Sequence, residues 1–139
     1  MEQSRDRQIL VVDDEAAIRT LMKDALELLN YQVVTAADAE GALGAMASGR
    51  IGLALLDLKM PGVSGVELCR LIRDRYPVTV LYAMTGYVSL FEVVRCREAG
   101  FDDYFTKPLD MPSLAKAIAN GFERLDRWRG QPGGDQAEP

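Results

Sequence analysis

Short apolar runs alternate five times with stretches of helical periodicity along this chain, and that alternation constrains the fold more than any other feature. Ile9-Leu-Val-Val12 is the first run and reads as a buried strand. Residues 15–29 follow, with Ile18, Leu21, Met22, Ala25, Leu28 and Leu29 on one helical face and Asn30 suited to a left-handed stop. Tyr31–Thr35 is a second strand, and Ala39–Ala47 a weaker helix because Gly41 and Gly44 lower its propensity. Leu53-Ala-Leu-Leu-Asp57 is apolar on both faces, as strands of a parallel sheet are when helices cover both sides. Lys59–Ser64, with Pro61 and Gly62, is a loop. Gly65–Tyr76 is a helix ended by Pro77, Val78–Met84 a fourth strand, Val88–Ala99 a helix capped by Gly100, and Phe101–Thr106 a fifth strand. Asp110 caps a last helix, with Pro112 in its first turn and Leu114, Ile118, Phe122 and Leu125 on one stripe. Such alternation predicts an α/β domain with a parallel sheet and right-handed crossovers.

The 139 residues suit one domain, and 48% apolar content supplies a core. The longest apolar run, Val80–Met84, has five residues, far short of the roughly 20 that a membrane span requires. Met1–Gln8 mixes both charge signs and resembles neither a signal nor a transit peptide. Net charge is −5 and the pI about 4.8, the wrong sign for a nucleic-acid surface. A cytoplasmic protein without direct membrane or nucleic-acid contact is expected. The absence of His excludes His-based acid–base and nucleophile systems and most zinc sites. Cys69 and Cys96 form no CxxC pair and are expected to be reduced core residues. Residues 127–139 are rich in Gly, Gln, Pro and acids, with Trp128 the only large apolar group. They are expected to be a flexible tail or the start of a linker after a domain at 7–126.

Ligands of open α/β sheets bind beyond the carboxyl ends of the strands. The polar residues closing these strands are Asp13-Asp14, Asp57, Thr85 and Lys107. Each has a plain structural alternative: a helix cap for Asp14, a turn cap for Asp57, a turn residue for Thr85, a solvated charge for Lys107. Their coincidence at successive ends of one sheet edge favours a site. Three carboxylates there need a cation, and hard oxygen ligands suit Mg²⁺. A carboxylate held near Mg²⁺ and a Lys can attack phosphorus to give an aspartyl phosphate. With Lys107 as the expected counter-cation, three close carboxylates should also oppose folding.

These residues carry a resemblance. Val11-Val-Asp-Asp-Glu15, Leu56-Asp-Leu-Lys-Met-Pro-Gly62 with Gly65, Met84-Thr-Gly86 and Tyr104-Phe-Thr-Lys-Pro108 together resemble the receiver domain of two-component response regulators, of the chemotaxis-regulator type. The resemblance implies a flavodoxin-like doubly wound (βα)5 fold with strand order 2-1-3-4-5. It implies Asp57 as phosphoacceptor, Asp13, Asp14, Asp57 and the backbone carbonyl of Lys59 around Mg²⁺, and Thr85 and Lys107 gripping the phosphoryl group. Tyr104 corresponds to the aromatic switch, and Lys107-Pro108 to a cis peptide. The phosphodonor would be a sensor histidine kinase or a phosphotransfer protein. Lys59 and Tyr87 would flank the path of a hydrolytic water, and neither is suited to orient one.

The implied function is a phosphorylation-activated signalling switch in a two-component phosphorelay. Such a domain assists its own phosphorylation and dephosphorylation and has no separate substrate. No effector motif follows the last helix, so output is expected through a protein partner or an output domain, on the 88–125 face. Homodimerisation is left open. The alternative enzyme class is a Mg²⁺-dependent phosphohydrolase with an Asp nucleophile. Haloacid-dehalogenase-like phosphatases want a second acid two residues after the nucleophile, where this chain has Lys59. A nucleotide-binding flavodoxin-like domain would want a phosphate-cradling loop after the first strand, where Asp13-Asp-Glu15 would repel phosphate.

Overall fold

The computed structural model describes residues 7–86 and 89–130. The elements are β1 (Gln8–Val12), α1 (Ala16–Glu27), β2 (Gln32–Ala36), α2 (Ala39–Met46), β3 (Ile51–Asp57), α3 (Gly65–Arg75), β4 (Val80–Thr85), α4 (Leu90–Ala99), β5 (Asp103–Thr106) and α5 (Met111–Gly130). The five strands form one sheet in the order β2-β1-β3-β4-β5, and every neighbouring pair is parallel. The expected fold class and strand order are therefore observed.

The sheet explains the unbroken apolar strands. Successive side chains point to opposite faces, and both faces are covered. Leu10, Val12, Ala54, Leu56, Leu81 and Ala83 face one core with α2, α3 and α4. Ile9, Val11, Leu53, Leu55, Tyr82 and Met84 face the other with α1 and α5, where Leu114, Ile118, Phe122 and Leu125 supply the stripe read from the sequence. The Tyr82 hydroxyl donates to the Ala117 carbonyl at 2.6 Å, so its one polar group is satisfied beneath α5.

Stops and starts follow backbone chemistry. Asn30 has φ 72° and Gly100 φ 112°, the left-handed conformations their positions suggested. Three helices begin on side-chain caps: Asp38 accepts from Gly41 N, Ser64 from Glu67 N and Ser89 from Glu92 N. Ser64-x-x-Glu67 and Ser89-x-x-Glu92 are the Ser-x-x-Glu signature of a helix start. They place Ser64 at the helix boundary and begin α4 at Leu90, whereas the expected start, Val88, lies outside the described residues.

Several boundaries are corrected: α1 spans Ala16–Glu27 and not 15–29, and β4 spans Val80–Thr85 and not Val78–Met84. α5 runs on to Gly130, so residues 127–130 are helix and not tail. Trp128 follows Leu125 by three positions and extends the apolar stripe by one turn, 38% exposed. Residues 131–139 lie outside the described residues. The fifth strand starts at Asp103 and not at Phe101, because a clamp occupies the preceding residues. Arg73 donates to the carbonyls of Gly100, Pro77 and Thr79 and to Asp102 Oδ2 at 3.0 Å. Asp102 Oδ2 in turn accepts from Leu81 N, and its Oδ1 lies 3.2 Å from Arg124. Among the described residues no helix is long and apolar enough to cross a membrane.

Candidate functional site

Each candidate residue sits where a strand of the sheet runs out. Asp13 follows β1, and its N–H donates to the Ala36 carbonyl at 3.1 Å, which holds it at the sheet edge. It is fully buried. Its Oδ1 accepts from Glu15 N at 2.9 Å, and its Oδ2 accepts from Lys107 Nζ at 2.8 Å. Arg19 donates to the Asp13 carbonyl at 2.8 Å, so Lys107 is not the only cation near the site. Asp14 is exposed beside it. It does not cap α1: the N-cap is Glu15, which makes no side-chain capping bond.

Asp57 is the last residue of β3 and is 4% exposed. Its Oδ1 accepts from Lys59 N at 3.3 Å and lies 3.5 Å from Lys107 Nζ. The turn-capping alternative is thus realised together with the clustering and does not compete with it. Carboxylate oxygens of Asp13, Asp14 and Asp57 all lie within 4.8 Å of one another. Thr85 closes β4, 4% exposed, and its carbonyl accepts from Lys107 N at 2.7 Å. That bond sets Lys107 at the end of β5, and Lys107-Pro108 is cis, as the resemblance implied. The Lys107 side chain is 21% exposed and engaged by two carboxylates, which rules out a solvated surface charge.

The electrostatics follow from this placement. Burial, and then the charge of Asp13, push the Asp57 carboxyl up to about 6, against partial relief from Lys107. Burial alone would lower the Lys107 ammonium. Its hydrogen bond to Asp13 and the charges of Asp57 and Asp13 raise it above the ordinary value. The result is a pocket with excess negative charge, hard oxygen donors and one ammonium. That donor set fits a hard divalent cation. Cys69 and Cys96 take no part: both are buried and unbridged, and burial pushes the Cys69 thiol up to about 12.

Tyr104 lies at the exposed edge of the sheet, 37% exposed, and lines a narrow cleft with Thr85, Leu58, Glu92, Val93 and Cys96. Lys59 stands beyond Asp57 in the β3–α3 loop. Tyr87, the other residue expected to flank a hydrolytic water, lies outside the described residues.

Gly65 matters for a reason the sequence does not announce. A Cβ there would sit 2.2 Å from the carbonyl oxygen of Asp57. The Gly65 N–H also donates to the Leu58 carbonyl at 3.2 Å, so α3 starts in contact with the backbone of the site. Gly65→Ala should therefore displace the Asp57 backbone and destabilise the fold by about 1–3 kcal/mol. A melting temperature equal to wild type in thermal denaturation would refute that close approach.

Comparison with known proteins agrees with this geometry. The model of the response regulator receiver domain family matches residues 9–119. The chain is 41% identical over 108 residues to the transcriptional regulatory protein ResD of Bacillus subtilis, an alignment covering 78% of this chain and 45% of ResD. It is 38% identical over 121 residues to the alkaline phosphatase synthesis transcriptional regulatory protein PhoP of the same organism, covering 85% and 50%. It thus spans about half the length of these curated relatives. A CheY-like response regulator receiver domain protein from Methanospirillum hungatei superposes with a TM-score of 0.83 at 33% identity, covering 87% of this chain and 97% of that one. A sheet of this order, the acidic and basic residues at its carboxyl edge and the match across residues 9–119 all agree: the chain belongs to the response regulator receiver domain family.

Proposed function

We propose that this receiver domain is switched by transfer of a phosphoryl group onto Asp57. The observation that carries the reading is Asp57 itself. It is a buried carboxylate 3.5 Å from an ammonium and within 4.8 Å of two further carboxylates. Asp57 would attack the phosphorus of a phosphohistidine on a sensor kinase or phosphotransfer protein, or of a small-molecule donor. An Oδ–P bond forms, and the P–N or P–O bond of the donor breaks with its electron pair. A carboxylate with a pKa near 6 is ionised at neutral pH and more basic than an ordinary Asp. Lys107 counters charge on the incoming phosphoryl oxygens, and the Thr85 hydroxyl donates to one of them. Asp13, Asp14, Asp57 and the backbone carbonyl of Lys59 would hold Mg²⁺, whose chemistry is neutralisation of charge on the phosphoryl oxygens. The test is exposure of the protein to an acyl phosphate or amidophosphate with Mg²⁺, read by intact mass. Gain of one phosphoryl group is expected.

The phosphohydrolase alternative is not favoured. Lys59 occupies the position where such an enzyme would want its second acid. The same residue bears on lifetime. An ammonium has no lone pair to accept a proton or a hydrogen bond from an in-line water, so it is poorly suited to orient one for attack. Lys59→Asn should speed loss of the phosphoryl group severalfold, measured by intact mass over time. Unchanged decay would mean that the water is positioned elsewhere.

Output is read on α4, β5 and α5. Leu90 is 80% and Phe91 69% exposed on α4, with Val94 and Tyr104 also at the surface. Exposed large apolar groups on one face suit a protein partner, whether an output domain, a separate target or a second copy. Thr85 and Tyr104 share the cleft that separates this face from the site. Amide chemical shifts of α4, β5 and α5 should move more on phosphorylation than those of α2. Shifts confined to α1 would contradict this route.

A further inference from the structure

We propose that a cavity at the amino ends of β4 and β5 binds a small aromatic carboxylate, with the Trp128 indole against its ring and Arg124 meeting its charge. The cavity measures about 310 Å³, within the range of small-molecule sites. Val80 opens β4 and Asp102 directly precedes β5, so the cavity lies at the opposite end of the parallel sheet from Asp57. It shares no lining residue with the acidic cluster, and the inference does not depend on the reading of Asp57.

The apolar part of the lining includes Val78, Val80, Leu125 and Trp128. Val80 and Leu125 are buried, whereas Trp128 is 38% exposed and keeps part of its ring open to a ligand. Trp128 follows Arg124 by four positions, which puts indole and guanidinium on one face of α5. A flat apolar body has surface to cover here, and an indole is suited to it.

The polar part of the lining selects the charge of the ligand. Arg73 carries five N–H donors and makes five bonds: two to the Gly100 carbonyl, one each to the carbonyls of Pro77 and Thr79, and one to Asp102 Oδ2. Asp102 Oδ2 also accepts from Leu81 N, and its Oδ1 faces Arg124 at 3.2 Å. The carboxylate and both carbonyls are thus already engaged. Arg124 differs from Arg73. Asp102 is its one ion-pair partner among the described residues, and its side chain is 53% exposed. What the cavity still offers is N–H donors in the fork geometry that matches a carboxylate. Two guanidinium groups against one carboxylate also give the lining a positive charge, in a chain whose net charge is −5. A cationic ligand would meet Arg124 with no unengaged carboxylate to pair with.

The experiment uses two probes of nearly the same shape, 2-naphthoate and the neutral 2-naphthamide, titrated into wild type, Arg124→Gln and Arg124→Lys. Binding is read from amide chemical shifts and from the indole N–H of Trp128, the only Trp of the chain. A ligand of about 13 non-hydrogen atoms at ordinary efficiency has a Kd on the order of 1 mM. 2-Naphthoate should shift the Trp128 indole and the amides of Thr79, Val80 and Leu125 saturably in that range. It should bind about three- to fivefold more tightly than 2-naphthamide, as expected for an exposed charge interaction. Arg124→Gln should remove that preference and leave 2-naphthamide binding as in wild type, and Arg124→Lys should keep most of it. Should Arg124→Gln bind neither probe, Arg124→Lys decides: a preference kept there supports the proposal, and one lost overturns it. The proposal also falls if 2-naphthoate gives no saturable shift at these residues, if wild type binds both probes equally, or if the preference survives in Arg124→Gln.

Discussion

Asp57→Asn should take up no phosphoryl group under conditions that label wild type completely. The substitution keeps the size of the side chain and its Oδ1, which accepts from Lys59 N at 3.3 Å, so the loop after β3 retains its turn. What it removes is the nucleophilic carboxylate. The other two carboxylates do not replace it. Both Asp13 oxygens are already engaged, by Glu15 N and by Lys107. Asp14 is exposed at the rim. Intact mass after exposure to a small-molecule donor with Mg²⁺ gives the answer. Labelling of the variant to the wild-type level would put the acceptor elsewhere.

The second large effect is on stability, and it depends on pH. The Asp57 carboxyl is pushed from about 3.8 up to about 6 in the fold, first by burial and then by Asp13. The native state therefore binds that proton more tightly than the unfolded chain. The stability this contributes is fully present below about pH 4 and is lost as pH rises through 6. At pH 8 in EDTA, ionised Asp57 should cost on the order of 2 kcal/mol, and Asp57→Asn should melt several degrees higher than wild type. The gap should close as the pH is lowered to 4. Excess Mg²⁺ should raise the wild-type melting temperature at pH 8 and narrow the gap, by binding the folded state and not the unfolded one. Equal melting of the two proteins at pH 8 in EDTA would show that Asp57 carries no such penalty. Read from the sequence alone, repulsion among the three carboxylates makes Asp13→Asn the substitution expected to stabilise the metal-free fold. The geometry redirects that expectation to Asp57: Lys107 sits 2.8 Å from Asp13 but 3.5 Å from Asp57, so replacing Asp13 would break the closer pair.

The same cluster illustrates a general tension. A site that must concentrate negative charge to hold a cation and ionise a nucleophile opposes its own burial. The surrounding sheet bears this because its strands are packed on both faces.

The alternation of apolar runs and helical periods determined the parallel sheet, because a strand buried on both faces leaves a continuous apolar signature. It also determined that Asp13, Asp14, Asp57, Thr85 and Lys107 meet at one edge, since in a parallel sheet all strands end on the same side. Asn30 and Gly100 were legible as stops because left-handed backbone is a property of single residues. Tertiary structure alone decided which carboxylate Lys107 pairs with. It also decided that Gly65 must lack a Cβ beside the Asp57 carbonyl, and that Arg73 ties α3 to Gly100 and Asp102. The start of β5 and the last turn of α5 were misread for the same reason. Periodicity and propensity are set by near neighbours in the chain. Charge pairing, close approach and long-range clamps depend on distances of a few ångströms between segments far apart in sequence, and only packing sets those distances.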